Sequence, residues 1–239
     1  MLSNQPPRPA NMLNIVAINQ GHRPLTMADP EIGPVTPVEA RSLLGSGHGV
    51  LDTRPPEAFG AGHVPGALNV QLSSPEFEQR AGWMLPAERP LILAVEQGEE
   101  PRAAIRKLAF VGLDQRVKGY LEMKDWIGQG MSRARLTQIS VSELRRRREE
   151  DHLEVLDVRE GSEWSRGHIQ GAHHMSFKHL PSRLEELRLG REMRIAVICG
   201  SGMRSSTACS FLLRNGFANL LNVTGGMTAW SQAGHPVSS

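Results

Sequence analysis

The chain has 239 residues, 39% of them hydrophobic and 22% charged, with a formal net charge of +2. That length suits two domains of ordinary size. The near-neutral balance gives no argument for nucleic acid, and no apolar run approaches a bilayer span. Met1 to Ala10 lack the apolar segment of a secretory signal, so a cytoplasmic protein without membrane attachment is expected.

The only cysteines are Cys199 and Cys209, which excludes a disulfide framework and a Cys-rich zinc site. Nine histidines form no ligand motif. The densest pair, His173-His174, would point to opposite faces of a strand and reads as surface or packing. Neither a metal nor a cofactor is expected.

In chain order, residues 1–33 stand apart as an N-terminal arm or linker, with NIVAI (14–18) as one strand. Thr36-Pro37-Val38-Glu39 has the form of a capping box, with Pro at the first helical position. LILAV (91–95) predicts a strand and residues 101–112 a helix; Gly128-Gln129-Gly130 reads as a short linker. Ser140-Val141-Ser142-Glu143 starts a second capped helix over 140–149. Its basic run Arg145 to Arg148 meets Glu149, Glu150 and Asp151 and reads as a solvated helix end. LEVLDV (153–158) is a strand, followed by a His-Gly-rich turn and a helix over 179–189. RIAVI (194–198) is a strand and 204–215 a helix with Ala208, Phe211 and Leu212 on its apolar face. A strand at 220–223 and a helix at 226–233 close the chain. Strands alternating with helices predict an α/β fold, a parallel sheet covered on both faces.

The chain repeats itself. VLDTRPPEAFGAGHVPGA (50–67) and VLDVREGSEWSRGHIQGA (155–172) align without a gap at an offset of 105. Asp52 meets Asp157, Arg54 meets Arg159, and Gly62-His63 meets Gly167-His168; Trp126 and Trp230 correspond at an offset of 104. Two tandem domains follow, expected over 34–130 and 131–239.

The strand RIAVI runs directly into Cys199-Gly200-Ser201-Gly202-Met203-Arg204-Ser205, and a helix follows. Glycines let the backbone curl so that N–H groups converge. A helix N-terminus adds partial positive charge and Arg204 a full one, forming an anion cradle. A cysteine at its rim should have a lowered pKa and act as a nucleophilic thiolate. Cys209 falls in the middle of the helix and reads as a packing residue, with a resolving thiol as the other option.

These motifs resemble the rhodanese (sulfurtransferase) family in tandem form, over nearly all of the chain beyond residue 34. Asp157-Val158-Arg159, Glu163-Trp164, Gly167-His168-Ile169 and Gly171-Ala172 resemble its N-terminal signature. Cys199-x-x-Gly202-x-Arg204-Ser205 is similar to its active-site loop, and Gly225-Gly226 with Trp230 to its C-terminal signature. The resemblance implies that Cys199 takes sulfur from thiosulfate or a low-molecular-weight persulfide, and passes it to cyanide, sulfite or a thiol. Gly200 to Ser205 would hold the charge, and Asp157 and Arg159 would either buttress the loop or line the pocket. Sulfur-handling members carry the shorter loop; cell-cycle phosphatases and arsenate reductases carry one residue more before the arginine. Here Arg204 is the fifth residue after Cys199, the short type.

The first copy departs from the pattern. Val95 stands opposite Cys199, Glu100 opposite Arg204 and Ala58 opposite Glu163, and the double glycine is absent near Leu121-Glu122. This domain is expected to be inactive and to pack against the active one. PPRPANMLNIVAINQG (6–21) resembles the stretch joining a metallo-β-lactamase-type persulfide dioxygenase to fused rhodanese domains, but the hydrolase's HxHxDH motif is absent. The implied partners are a small-molecule sulfur donor and acceptor, and a persulfide dioxygenase or other sulfur-relay protein. The alternatives to a sulfurtransferase are a non-enzymatic sulfur carrier or interaction module and, against the loop length, a phosphatase or arsenate reductase.

Overall fold

The computed structural model describes residues 9, 11–22, 32–86, 88–96, 101–150 and 153–238. It divides into two compact units, Met1–Arg54 with His63–Arg133, and Pro55–Gly62 with Ala134–Ser239. The short stretch 55–62 joins the second unit through its own backbone: the Leu136 N–H donates to the Gly60 carbonyl at 3.1 Å.

The first part of the chain runs α1 (Met12–Asn19), α2 (Pro37–Gly45), β1 (Gly49–Asp52), α3 (Pro56–Ala61), β2 (Leu68–Asn69), α4 (Phe77–Met84), β3 (Leu91–Val95), α5 (Pro101–Ala109), β4 (Val117–Glu122) and α6 (Met123–Gly128). The rest runs β5 (Thr137–Ile139), α7 (Val141–Glu150), β6 (Glu154–Asp157), α8 (Gly161–Trp164), β7 (His173–His174), α9 (Leu180–Arg183), β8 (Arg194–Ile198), α10 (Met203–Arg214), β9 (Asn219–Val223) and α11 (Gly226–Gln232). Each unit holds one parallel sheet, ordered β2-β1-β3-β4 and β5-β9-β8-β6-β7. The chain is therefore an α/β protein of two similar units. In the first unit the counterpart of β5 shrinks to a bridge between Pro34 and Tyr120. None of the helices among the described residues is long and apolar enough to cross a membrane.

The inner strands β1, β3, β6, β8 and β9 bury nearly every residue, as continuous apolar runs in parallel sheets should, while β4, β5 and β7 keep part of their length exposed. In the second unit Ala196 and Ile198 of β8 join Val155, Leu221, Val223 and Trp230 in one core cluster. Trp230 caps it and donates its indole N–H to the Pro236 carbonyl at 2.9 Å; Trp126 makes the same bond to Ser132 at 2.9 Å in the first unit. The Thr36–Glu39 capping box is complete. At Ser140 only half of it forms. The Glu143 N–H donates to the hydroxyl at 3.1 Å, while the Glu143 carboxylate takes Arg146 and Arg147. Arg145 meets Glu149 on the same exposed face, as a solvated helix end should.

Three expectations need correction. NIVAI lies in the helix α1 rather than a strand; β-branched residues favour strands only where a sheet edge receives them, and here local helical bonds close instead. The helix expected over 179–189 is broken into a 3-10 turn, α9 and a second 3-10 turn. Pro181 has no N–H to continue a ladder, and Arg183, at φ −130°, leaves the helical region. The helix over 101–112 stops at Ala109, because Gly112 turns left-handed at φ 68° and closes the end.

Both units carry the same buried ion pair just past a strand end. Arg54 grips Asp52 with Nη2 at 2.7 Å and Nε at 3.0 Å. Arg159 grips Asp157 with Nη2 at 2.6 Å and Nε at 2.9 Å. Both aspartate side chains are fully buried. Removing one partner of such a pair leaves an uncompensated buried charge. Asp157→Ala is therefore expected to cost about 3–5 kcal/mol, measured as a lowered urea midpoint; an unchanged midpoint would contradict this account.

Candidate active site

The carboxyl ends of β6, β8 and β9 lie side by side, since Asp157 pairs with Ile198 and Val197 with Asn222. Ligands in open α/β sheets bind beyond that edge. Three segments emerge there: Val158–Arg159, the loop from Cys199, and Thr224-Gly225. In the first unit Asp52 pairs with Ala94. The strand registers thus set Ala94 against Ile198 and Val95 against Cys199, as the repeat predicts. Glu100, expected opposite Arg204, lies outside the described residues.

Cys199 is fully buried. Its Sγ accepts a bond from the Gly202 N–H at 3.1 Å, and the thiol donates to Ser205 Oγ at 3.4 Å. Ser205 donates in turn to Asn222 Oδ1 at 2.6 Å, and Asn222 Nδ2 donates to Gln138 at 2.7 Å and to the Gly202 carbonyl at 3.2 Å. Gly202 caps α10 in the left-handed region at φ 98°, which a side chain would strain. Met203 opens the helix behind it, and Ser201 is exposed at the loop's crest. The loop is tied from below by α11: the Met227 and Thr228 N–H groups donate to the Cys199 and Gly200 carbonyls at 2.7 and 3.0 Å. Those two N–H groups have no partner within their own helix, so the loop satisfies them.

Arg204 is where the structure changes the picture. Sequence reasoning gave it to the cradle as a full positive charge. Instead Glu163 of α8 holds it in a two-pronged pair, Nη1 to Oε2 at 2.6 Å and Nη2 to Oε1 at 2.7 Å. The guanidinium hydrogen bonds hold the Glu163 carboxyl down to about 2, against the opposing effect of burial. The Glu160 N–H helps, bonding the same carboxylate at 3.1 Å. Gly200 sits against this pair: a Cβ there would lie 3.1 Å from Arg204 Nη2.

Of the expected pair, Arg159 lines the depression beside the loop and Asp157 stays buried behind it. Asp157 is buried in the pair. Arg159 also donates to the Gly167 carbonyl at 2.8 Å and, more weakly, to the Glu163 carbonyl at 3.4 Å. Together with Glu163, Arg166, Gly200 and Met227 it lines a depression of about 310 Å³ beside the loop. Trp164 packs its ring against His168 at 3.7 Å and His174 at 4.7 Å. His174 also bonds the Arg159 carbonyl at 2.9 Å, and His173 faces Glu154 at 3.0 Å. Among the described residues no group of three His, Cys, Asp or Glu could hold a metal.

Cys209 is buried inside α10, and burial, with the charge of Cys199 second, pushes its thiol well up. The repeat sets it opposite Ile105, itself a buried apolar residue. Glu163, Asn222 and Gln138 escaped sequence reasoning as site residues. Glu163 had left a signal: Ala58 and Glu100 replace Glu163 and Arg204 together in the first copy.

The family model for the rhodanese-like domain matches twice, over residues 36–122 and 140–233. The chain belongs to the rhodanese-like family. A putative sulfurtransferase, YtwF of Bacillus subtilis, is 38% identical over 96 residues, covering 40% of this chain and 90% of that protein. A sulfurtransferase of Allochromatium vinosum is 32% identical over 83 residues, covering 35% and 76%. A rhodanese-like domain protein from Staphylococcus aureus aligns at a TM-score of 0.39 with 28% identity, covering 44% of this chain and all of that one. The chain thus falls, at family level, among the sulfurtransferases.

Two outcomes test this rhodanese-like site. Gly226 lies at φ 55°, and a Cβ there would run into the Cys199 and Gly200 backbone. Gly226→Ala should therefore push the loop off its α11 anchor, read as lost exchange protection of the Met227 and Thr228 amides. The Glu163 pair has a signed pH dependence. Its carboxyl lies below the ordinary glutamate value of 4.5, at about 2, so its stabilisation is present above pH 4.5 and lost as pH falls toward 2. The acid-induced fall in stability over that window should be smaller in Glu163→Gln than in the parent; equal slopes would sink the assignment.

Proposed function

We propose that this chain is a sulfurtransferase that carries sulfane sulfur as a persulfide on Cys199. The observation that supports it best is the short loop, with the Gly202 N–H on Sγ at 3.1 Å and Arg204 turned away into Glu163. A cradle whose arginine is already paired with a carboxylate suits a single sulfur anion better than a doubly charged phosphoryl group. That pairing weighs against phosphatase or arsenate reductase chemistry.

The thiolate of Cys199 attacks the outer sulfur of the donor. A new S–S bond forms at Sγ as the donor's own S–S bond breaks, and the electron pair leaves with sulfite (from thiosulfate) or with a thiolate (from an organic persulfide). In the second step cyanide, sulfite or a thiol attacks the outer sulfur of the persulfide and the pair returns to Sγ. No outside oxidant or reductant is needed. Ser205 takes the thiol's hydrogen bond in the resting state. Once Sγ has lost its proton, the same hydroxyl can rotate from Asn222 and donate to sulfur. Cys199 is buried, and its neighbour Gly200 lines the depression, which makes that side the approach for the donor sulfur.

Incubation with thiosulfate or glutathione persulfide should add the mass of one sulfur atom to the peptide bearing Cys199. Cys199→Ser should abolish turnover with cyanide as acceptor, and Cys209→Ala should retain it. Sulfur transfer by Cys199→Ser at the parent rate would refute the proposal.

A further inference from the structure

The depression beside the loop has an uneven charge balance. Its lining includes three ionisable side chains, Arg159, Glu163 and Arg166. Two of them are closed into tight pairs, Arg159 with Asp157 at 2.6 Å and Glu163 with Arg204 at 2.6 Å. Arg166 is exposed, and its Nε donates to the Ser162 carbonyl at 3.1 Å, which fixes the side chain against its own turn. Among the described residues no carboxylate pairs with it. A backbone carbonyl orients a guanidinium without cancelling its charge. The lining therefore carries one net positive charge, supplied by Arg166. The hydroxyl-bearing Thr228 and Ser231 and the apolar Met227 and Val237 complete the wall, and Gly200, next to Cys199, belongs to the same lining.

We propose that Arg166 is a specificity-determining residue that binds the anionic end of the sulfur donor, a carboxylate of an organic persulfide or the sulfonate of thiosulfate. The proposal rests on the sulfur-transfer reading above and deepens it. Arg166 lies outside the loop and outside both ion pairs, so it acts on capture of the donor rather than on the S–S exchange. An exposed cation gains only a modest attraction in water, and salt screens it. The effect therefore belongs in kcat/KM and falls with ionic strength.

The test uses the full chain and three donors: glutathione persulfide, thiosulfate, and 2-hydroxyethyl persulfide, which carries no charge beyond its sulfur. Rates of Cys199 persulfidation give kcat/KM for each. The ratio of a charged donor to the hydroxyethyl donor is expected to fall about three- to five-fold in Arg166→Gln. It should fall further in Arg166→Glu and recover in Arg166→Lys, and the differences should shrink at high salt. A fall confined to glutathione persulfide names the carboxylate as the bound group, and one confined to thiosulfate names the sulfonate. Ratios that stay the same in all three variants overturn the proposal and leave the sulfur-transfer reading intact. A parent protein that accepts sulfur from none of the donors overturns both.

Discussion

The site depends on a buried aspartate–arginine pair at the end of one strand. Asp157 sits at the last position of β6, beside Ile198 at the end of β8. Buried charges persist only when paired and hydrogen-bonded, so the Arg159 guanidinium must fold back over the strand end. Its remaining donors then reach the Gly167 and Glu163 carbonyls. That fixes where α8 lies, and α8 presents Glu163. Glu163 in turn captures Arg204 and closes the loop that starts at Cys199. A chain of charge-assisted bonds thus runs from the β6 strand end to the Cys199 loop. The same pair exists as Asp52–Arg54 in the unit that has no cysteine. Its first task is therefore to shape the strand-to-helix turn, and the cysteine loop sits beside that turn.

This order of dependence changes the electrostatics of the loop. A glycine-rich turn at a helix start suggests an anion cradle strengthened by a free arginine. With Glu163 bound to Arg204 at both nitrogens, the full charge is largely spent within the pair. What remains around Sγ is the polarity of the backbone, chiefly the Gly202 N–H, and the hydroxyl of Ser205. The Gly202 N–H is preorganised and does not need to move as charge develops on sulfur, whereas the Ser205 hydroxyl turns from Asn222 to donate. The pair gives the loop rigidity, while the net positive charge of the pocket lies outside it.

Much of this was legible in the sequence, and the reasons differ by feature. The repeat exposed the two units because Asp52/Asp157, Arg54/Arg159 and Trp126/Trp230 each perform a task that only their residue type can perform. Strands such as LILAV and RIAVI read correctly because both of their faces are buried. NIVAI misled because composition alone cannot say whether a sheet edge is there to receive it. The segment over 179–189 misled because its apolar spacing suits a helix, while one proline and one departure from helical geometry split it. Glu163 was overlooked as a site residue because its partner is 41 positions away. Pairing across that separation is set by tertiary structure, and only the joint loss of both residues in the first copy hinted at it.

The two units show which parts of the fold carry stability and which belong to the cysteine loop. Both keep the buried ion pair and the tryptophan tied to a carbonyl six residues on. They part company at the carboxyl edge. By the strand registers Val95 replaces Cys199, Tyr120 replaces Asn222 and Pro34 replaces Gln138. The repeat also sets Pro101 where Ser205 stands. The whole hydrogen-bonded line from Sγ to Gln138 is thus missing from the first unit. In that unit β4 runs straight into α6, whereas Thr224 and Gly225 separate β9 from α11 in the second. Those two residues let the start of α11 reach under the loop and bond the Cys199 and Gly200 carbonyls. A scaffold that keeps its ion pair and its tryptophan lock can lose all of this without losing its sheet. The cysteine loop is a graft on a frame that stands without it.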